Sequence, residues 1–307
     1  MQNPTLESVR YGPHKRNVLD LWHPGTRTPA PVYIFIHGGG FRGGDKSSLP
    51  EILCSGLLEA GIAVAAINYR LSGTAPYPAA MLDGVRAVQY IRSCAGEWGL
   101  DKARLAAGGG SAGSGITFWM GFRPDFADPF SPDPVKREST RLTCIASWQA
   151  QCSYNPHFVR TIISGDCYKH EALVEFFQVP PEQFDTPRAK RIFGEVDFIR
   201  FASAHSPPVF LWYLTPNLPM TPDLPAGPGI HHPKFGFVLK ERLDELGVTC
   251  ELRTREDRPE LTDEDARQWF CQEQTAFLKE HLLYADDRSR SEEKGAAEPS
   301  HGEATPR

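Results

Sequence analysis

Arg104-Leu105-Ala106-Ala107-Gly108-Gly109-Gly110-Ser111-Ala112-Gly113 is the stretch on which the reading of the fold depends. An apolar run meets three glycines and a serine, and a helical pattern then continues over about 112–122. Gly109-Gly110-Ser111-Ala112-Gly113 has the form Gly-x-Ser-x-Gly. Between a strand and a helix, that form lets the backbone reverse sharply and leaves the serine hydroxyl exposed at the tip. Upstream, a second apolar run, Val32-Tyr33-Ile34-Phe35-Ile36, also ends in glycines, at His37-Gly38-Gly39-Gly40. Backbone without Cβ atoms lets bare N–H groups point at a bound oxygen. An exposed serine beside such a cradle is the apparatus of acyl transfer.

Outward from these two stretches, β-rich apolar runs alternate with helical patterns. Strands are predicted over 18–22, 32–36, 62–69, 105–108, 142–148, 208–213 and 248–254. Helices are predicted over about 50–60, 78–98, 112–122, 231–246 and 263–283. In the second, Ala80, Asp83, Gly84, Ala87, Val88 and Ile91 form the packing side. This alternation gives an α/β class: a mainly parallel central sheet with helices on both faces. Residues 122–140, rich in Asp, Pro and Arg, read as an exposed excursion. Residues 155–200 hold two predicted helices, near 169–178 and 181–193, as an insertion over the C-terminal edge of the sheet, where open α/β folds bind ligands. It is expected to be a lid or pocket wall within a domain spanning 1–284. The charged, Ser/Gly/Glu-rich tail over 285–307 is expected to be disordered.

Of 307 residues, 40% are hydrophobic and 23% charged, with a formal net charge of −5. No basic surplus exists to neutralise phosphates, so nucleic acid is not expected as the main partner. The first residues, Met1-Gln2-Asn3-Pro4-Thr5-Leu6-Glu7, lack the basic and apolar regions of a secretory signal. No apolar run approaches the ~18 residues of a membrane span. The seven cysteines are scattered, with no close Cys-x-x-Cys pair, and are expected to be reduced, buried thiols in a cytoplasmic protein. The expected partner is a small molecule, with no cofactor and no metal.

The chain is similar to the α/β-hydrolase superfamily, and within it to the His-Gly-Gly-Gly-bearing esterase/lipase group, with its hormone-sensitive-lipase-like and bacterial acetyl-esterase-like branches. The likeness runs over about 10–283. It rests on the serine turn, on His37-Gly38-Gly39-Gly40-Phe41-Arg42-Gly43-Gly44-Asp45, on Ile67-Asn68-Tyr69-Arg70-Leu71 and on Asp101-Lys102-Ala103-Arg104-Leu105. By resemblance, Ser111 is the nucleophile of a hydrolase of small carboxylic esters. The oxyanion hole would come from the Gly38, Gly39, Gly40 loop, through the N–H groups of Gly39 and Gly40, and from the N–H of Ala112. The chain departs from the group at two places. The acid is expected after the strand over 208–213, where Leu214-Thr215-Pro216-Asn217 stands. Asparagine is neutral and does not stabilise an imidazolium as a carboxylate does. The histidine is expected after the strand ending near Arg253, where the sequence runs Arg255-Glu256-Asp257-Arg258-Pro259-Glu260-Leu261-Thr262-Asp263.

The best replacement for the missing base is the pair His231-His232, at the start of the helix that follows the acid loop, with Asp223 as the orienting carboxylate. The alternative is that the pair caps a helix or lines a pocket. His37 is expected to organise its loop, and His157, His170 and His205, in or beside the insertion, to lie at the surface, with pocket lining as the alternative. Asp83 and Asp101 read as structural, the second in a turn before the serine strand. Glu256 and Asp257 sit beside Arg255 and Arg258, whose charge keeps carboxylates from acting as bases near neutral pH. Two function classes follow. One is a serine esterase with an altered proton relay, preferring short acyl chains because no long apolar segment exists to dock lipid. The other is a catalytically impaired pseudo-hydrolase that binds a small ligand.

Overall fold

A computed structural model of the chain describes residues 2–26 and 29–284; the tail expected over 285–307 lies outside them. The strands are β1 (Leu6–Arg10), β2 (Val18–Trp22), β3 (Ala30–Ile36), β4 (Ala63–Ile67), β5 (Leu100–Gly109), β6 (Cys144–Trp148), β7 (Val209–Tyr213) and β8 (Cys250–Thr254). They form one eight-stranded sheet in the order β1-β2-β4-β3-β5-β6-β7-β8. β1 and β2 join antiparallel, and every pairing from β4 onward is parallel. The helices are α1 (Glu51–Glu59), α2 (Ala79–Ser93), α3 (Ala112–Gly121), α4 (Pro156–Ile162), α5 (Glu171–Phe177), α6 (Pro187–Glu195), α7 (Ala226–Ile230), α8 (Lys234–Glu245) and α9 (Asp263–Leu283).

All seven residues of β3 are buried, because side chains alternate across a strand and both faces are covered. Val32, Ile34 and Ile36 join the apolar layer of α2, α3 and α8. Tyr33 and Phe35 point the other way, into the layer of α1 and α9. The packing side read for α2 is buried throughout. Asp83 there is spent on an ion pair with Arg70, at 2.7 Å.

The α/β-hydrolase architecture matches the sequence reading, with four differences. β1 was not anticipated; it is a short edge strand with no fully buried side chain and hence no apolar period to read. β5 begins at Leu100, so Asp101 lies inside the strand, where it pairs with Arg104 at 2.7 Å. α4 and α7 are short helices of seven and five residues, too short to show a periodic stripe. Residues 122–140 are the largely exposed excursion expected from the sequence, but hydrogen bonds tie it down along its length. The Gln89 amide donates to the carbonyls of Lys136 and Glu138, and Asp125 accepts from the Thr140 backbone. All seven cysteines are free, and all except Cys94 are buried. No helix of the described residues is long and apolar enough to cross a membrane.

Candidate active site

Strand order decides where the two glycine stretches meet. β3 and β5 are parallel neighbours with Ile36 opposite Gly109, so the chain leaves both at the same edge. The link from β3 goes to β4 on one side, and β5 returns on the other. That reversal opens a crevice at the carboxyl ends of the strands. Ser111 stands there with φ 49° and ψ −112°, a left-handed backbone that a non-glycine residue adopts only when its surroundings impose it. The imposition is visible. The Ser111 N–H donates to the Trp148 carbonyl at 3.0 Å, and Gly115 donates back to the Ser111 carbonyl at 3.1 Å. A Cβ on Gly113 would collide with the Ile36 carbonyl, so only glycine lets α3 start this close to β3.

The glycine loop is held by side chains beneath it. His37 is buried, stacks on Tyr69 at 4.2 Å and donates from Nδ1 to the Gly38 carbonyl at 2.7 Å. Its Nε2 then accepts from Arg16, at 3.1 Å. Burial pushes the His37 pKa down to about 4, so the ring is neutral and acts as a loop brace. Gly39 has φ +107°, and a Cβ there would lie 2.5 Å from the Gly43 carbonyl oxygen. Among the described residues, the N–H groups of Gly39, Gly40 and Ala112 donate to no protein acceptor. All three residues border the space in front of Ser111.

Of the histidine pair, His231 is set against the serine, with Nε2 2.9 Å from Ser111 Oγ. It caps the C-terminus of α7. Its own N–H bonds the Pro228 carbonyl, and the Gly227 carbonyl acts on the ring by raising its pKa. Burial and the nearby His170 push its pKa down to about 4, against that carbonyl. His232 does not reach the serine, which corrects the expectation that either histidine could serve. It is buried, its Nε2 lies on the Leu218 carbonyl at 2.9 Å, and its Nδ1 accepts from the Lys234 N–H at 3.0 Å. Asp223 is a second correction. It is exposed, and its carboxyl is held below the usual range by the Thr221 hydroxyl and its own backbone N–H rather than by His231.

The two places where the family keeps its acid and histidine hold each other instead. The Asn217 backbone N–H donates to Glu256 at 2.7 Å. Asp257 closes a capping box with Thr254, which accounts for the carboxylates of that loop without catalysis.

Two spaces adjoin Ser111 and His231. One is an open groove of about 400 Å³ floored by Phe35, Ser48, Trp148 and Gln149. It leads on past Trp212 and Leu214 toward Glu264 and Arg267. The other is a chamber of about 230 Å³, more enclosed, with Phe41, Tyr154, Leu173 and Ile230 as its apolar walls. The insertion closes it: α5 packs on the glycine loop, where a Cβ on Gly40 would sit 3.0 Å from Ala172, and Arg42 bridges Glu171 at 2.8 Å. His170, expected at the surface, is a chamber wall. His157 rests on the Phe184 carbonyl at 3.3 Å and His205 is exposed, both away from the serine.

Comparison with known proteins gives a consistent picture. The BD-FAE family model matches residues 19–144. The chain is 33% identical over 99 residues to the carboxylesterase NlhH of Mycobacterium tuberculosis, covering 32% of this chain and 31% of that protein. It is 35% identical over 141 residues to the probable carboxylic ester hydrolase LipM of the same species, covering 44% and 32%. The matches thus span about a third of the length of these curated relatives. Among solved structures, a bacterial heroin esterase superposes with a TM-score of 0.63 at 20% identity, over 89% of this chain and 82% of that one.

Proposed function

We propose that the chain is an α/β-hydrolase of the esterase/lipase group, and within it a serine carboxylesterase whose general base is His231. The observation that carries the proposal is the 2.9 Å hydrogen bond between His231 Nε2 and Ser111 Oγ, beside three free backbone donors. In the first half-reaction Ser111 Oγ attacks the ester carbonyl carbon while Nε2 takes its proton. The carbonyl oxygen becomes an anion and is held by the N–H groups of Gly39, Gly40 and Ala112. The imidazolium then gives its proton to the departing alkoxide, leaving an acyl-serine. Water repeats the sequence from the same side and restores Ser111.

The departure from the family lies behind the histidine. A carbonyl, that of Gly227, holds the ring where the family has a carboxylate. It fixes orientation and tautomer but supplies only a partial charge to the imidazolium. A working but slower relay is the expected consequence. The pseudo-hydrolase reading drew on the vacant family positions, and a histidine in contact with Ser111 weighs against it. The chamber of about 230 Å³ supports a short acyl group.

The test is labelling with a fluorophosphonate, read by intact mass, together with turnover of p-nitrophenyl acetate. One adduct on the parent, none on Ser111→Ala, and Ser111-dependent turnover are expected. An unlabelled parent with no turnover overturns the proposal in favour of a ligand-binding protein.

A further inference from the structure

His170 caps α5 and lines the chamber together with Ser111, Ala112 and His231. Its Nδ1 accepts the Ala172 backbone N–H at 3.2 Å. A ring nitrogen that accepts a hydrogen bond carries the lone pair, so in the neutral ring the proton is on Nε2. The cap therefore dictates the tautomer, and Nε2–H is a donor. Among the described residues it has no protein acceptor. The other neutral side-chain donors of the chamber are all engaged. Both Gln151 amide hydrogens go to the carbonyls of Gln149 and Ile230, at 2.8 and 2.6 Å. The Tyr154 hydroxyl goes to Gln151 Oε1 at 3.2 Å. The Ser111 hydroxyl donates to His231 Nε2.

The shapes of the two spaces say which half of the ester meets this donor. The alcohol must depart before water attacks, so it belongs in the open groove. The acyl group stays bonded to Ser111 through the second half-reaction, so it belongs in the enclosed chamber. Resting on the esterase reading, we propose that His170 is a specificity-determining residue whose Nε2–H donates to an oxygen on the acyl chain. The substrate class is then the ester of a short, oxygen-bearing acyl group (an alkoxy-, hydroxy- or oxo-acyl) rather than of a plain alkanoyl group. His170 is half-buried, and an alkyl chain that covers its Nε2–H offers that donor no acceptor while an ether, hydroxyl or oxo oxygen does, which makes the contact selective as well as attractive.

The experiment compares p-nitrophenyl methoxyacetate with p-nitrophenyl butyrate, whose acyl chains have equal length and differ by one ether oxygen. The ratio of kcat/KM for the pair is divided by their ratio in alkaline hydrolysis, which removes intrinsic reactivity. The parent is expected to favour methoxyacetate about 5-fold after that correction, the scale of one neutral hydrogen bond. His170→Asn keeps an oxygen that caps the Ala172 N–H but removes the reach of the ring donor. Its corrected ratio is expected near 1. A parent ratio near 1 overturns the proposal whatever the variant does, and so does a variant that keeps the parent's preference. Absence of Ser111-dependent turnover on both esters is a different result, and overturns the esterase reading with this inference.

Discussion

Ser111 and His231 meet across one hydrogen bond, yet the two ends of that bond are held by different means. The serine sits between the two innermost parallel strands, pinned by the Trp148 carbonyl, with Gly113 pressed on Ile36 beneath it. Moving it would rebuild the core. The histidine hangs from the end of a five-residue helix in the connection after β7, held by Gly227 of its own turn. That helix is tied to the rest by Ile230, which packs in the core and accepts from the Gln151 amide at 2.6 Å, rather than by strand pairing. The contrast teaches that a nucleophile turn of this kind is fixed by packing. A base needs only to arrive at the same edge, and any loop from the carboxyl ends of the strands can deliver it. Here the histidine that meets the serine comes after β7, while the loop after β8 is a capped turn that binds Asn217.

If the two ends act as one unit, their losses do not add. Ser111→Ala and His231→Ala are each expected to lower kcat by at least ~10³-fold, and the double variant to be no slower than the worse single one. Initial rates on a short-chain ester measure this, and losses that multiply would show that the pair is not a relay.

The pH profile probes the histidine side alone. A base must be neutral, and the His231 pKa lies at about 4, so kcat/KM is expected to be level from pH 8 down to about 5 and to halve near pH 4. Below that midpoint the rate falls about tenfold per pH unit. A midpoint near 6.5 would mean that the ring is not buried as described. Stability follows the same sign. His231 and His37 resist protonation in the folded state down to about 4, whereas an unfolded histidine charges near 6.5. The unfolded chain therefore binds more protons between those values, and Tm is expected to fall as pH drops from 6.5 to 4. His170, whose pKa burial and Arg42 also lower, acts in the same direction.

The neighbouring histidine separates structure from chemistry within two residues. His232→Ala leaves the Leu218 carbonyl and the Lys234 N–H without their partner. Urea unfolding is expected to show a loss of about 1–3 kcal/mol, while kcat of the folded protein changes by less than about 3-fold. A stable variant with a collapsed rate would instead make His232 part of the relay. The smallest effect is expected at Asp223→Asn, within about 2-fold in kcat, because an exposed carboxylate off the histidine has little to contribute. A large loss there would restore the carboxylate to the relay.

Much of this was legible along the chain because the signals are local. Continuous apolar runs mark strands buried on both faces, and the glycines flanking Ser111 mark a turn that admits no Cβ. The histidine pair was legible as a candidate by chemistry and place, but the choice between its members was not. Adjacent residues at the end of a short helix point in different directions, and only the packed helix sends one ring to Ser111 and the other to Leu218. Asp223 was attractive as a carboxylate near the pair in sequence, and the folded loop turns it to solvent.

By itself, then, the chain determined the sheet, the serine turn and the donor loop, because each depends on residues within one turn or one strand period. The tertiary structure decided the pairing of Ser111 with His231, since the two stand 120 residues apart. It also decided what orients the ring, because every residue has a carbonyl and no residue type announces that Gly227 will supply it. The tautomer of His170 is set in the same way: one backbone N–H, that of Ala172, dictates which ring nitrogen carries the proton.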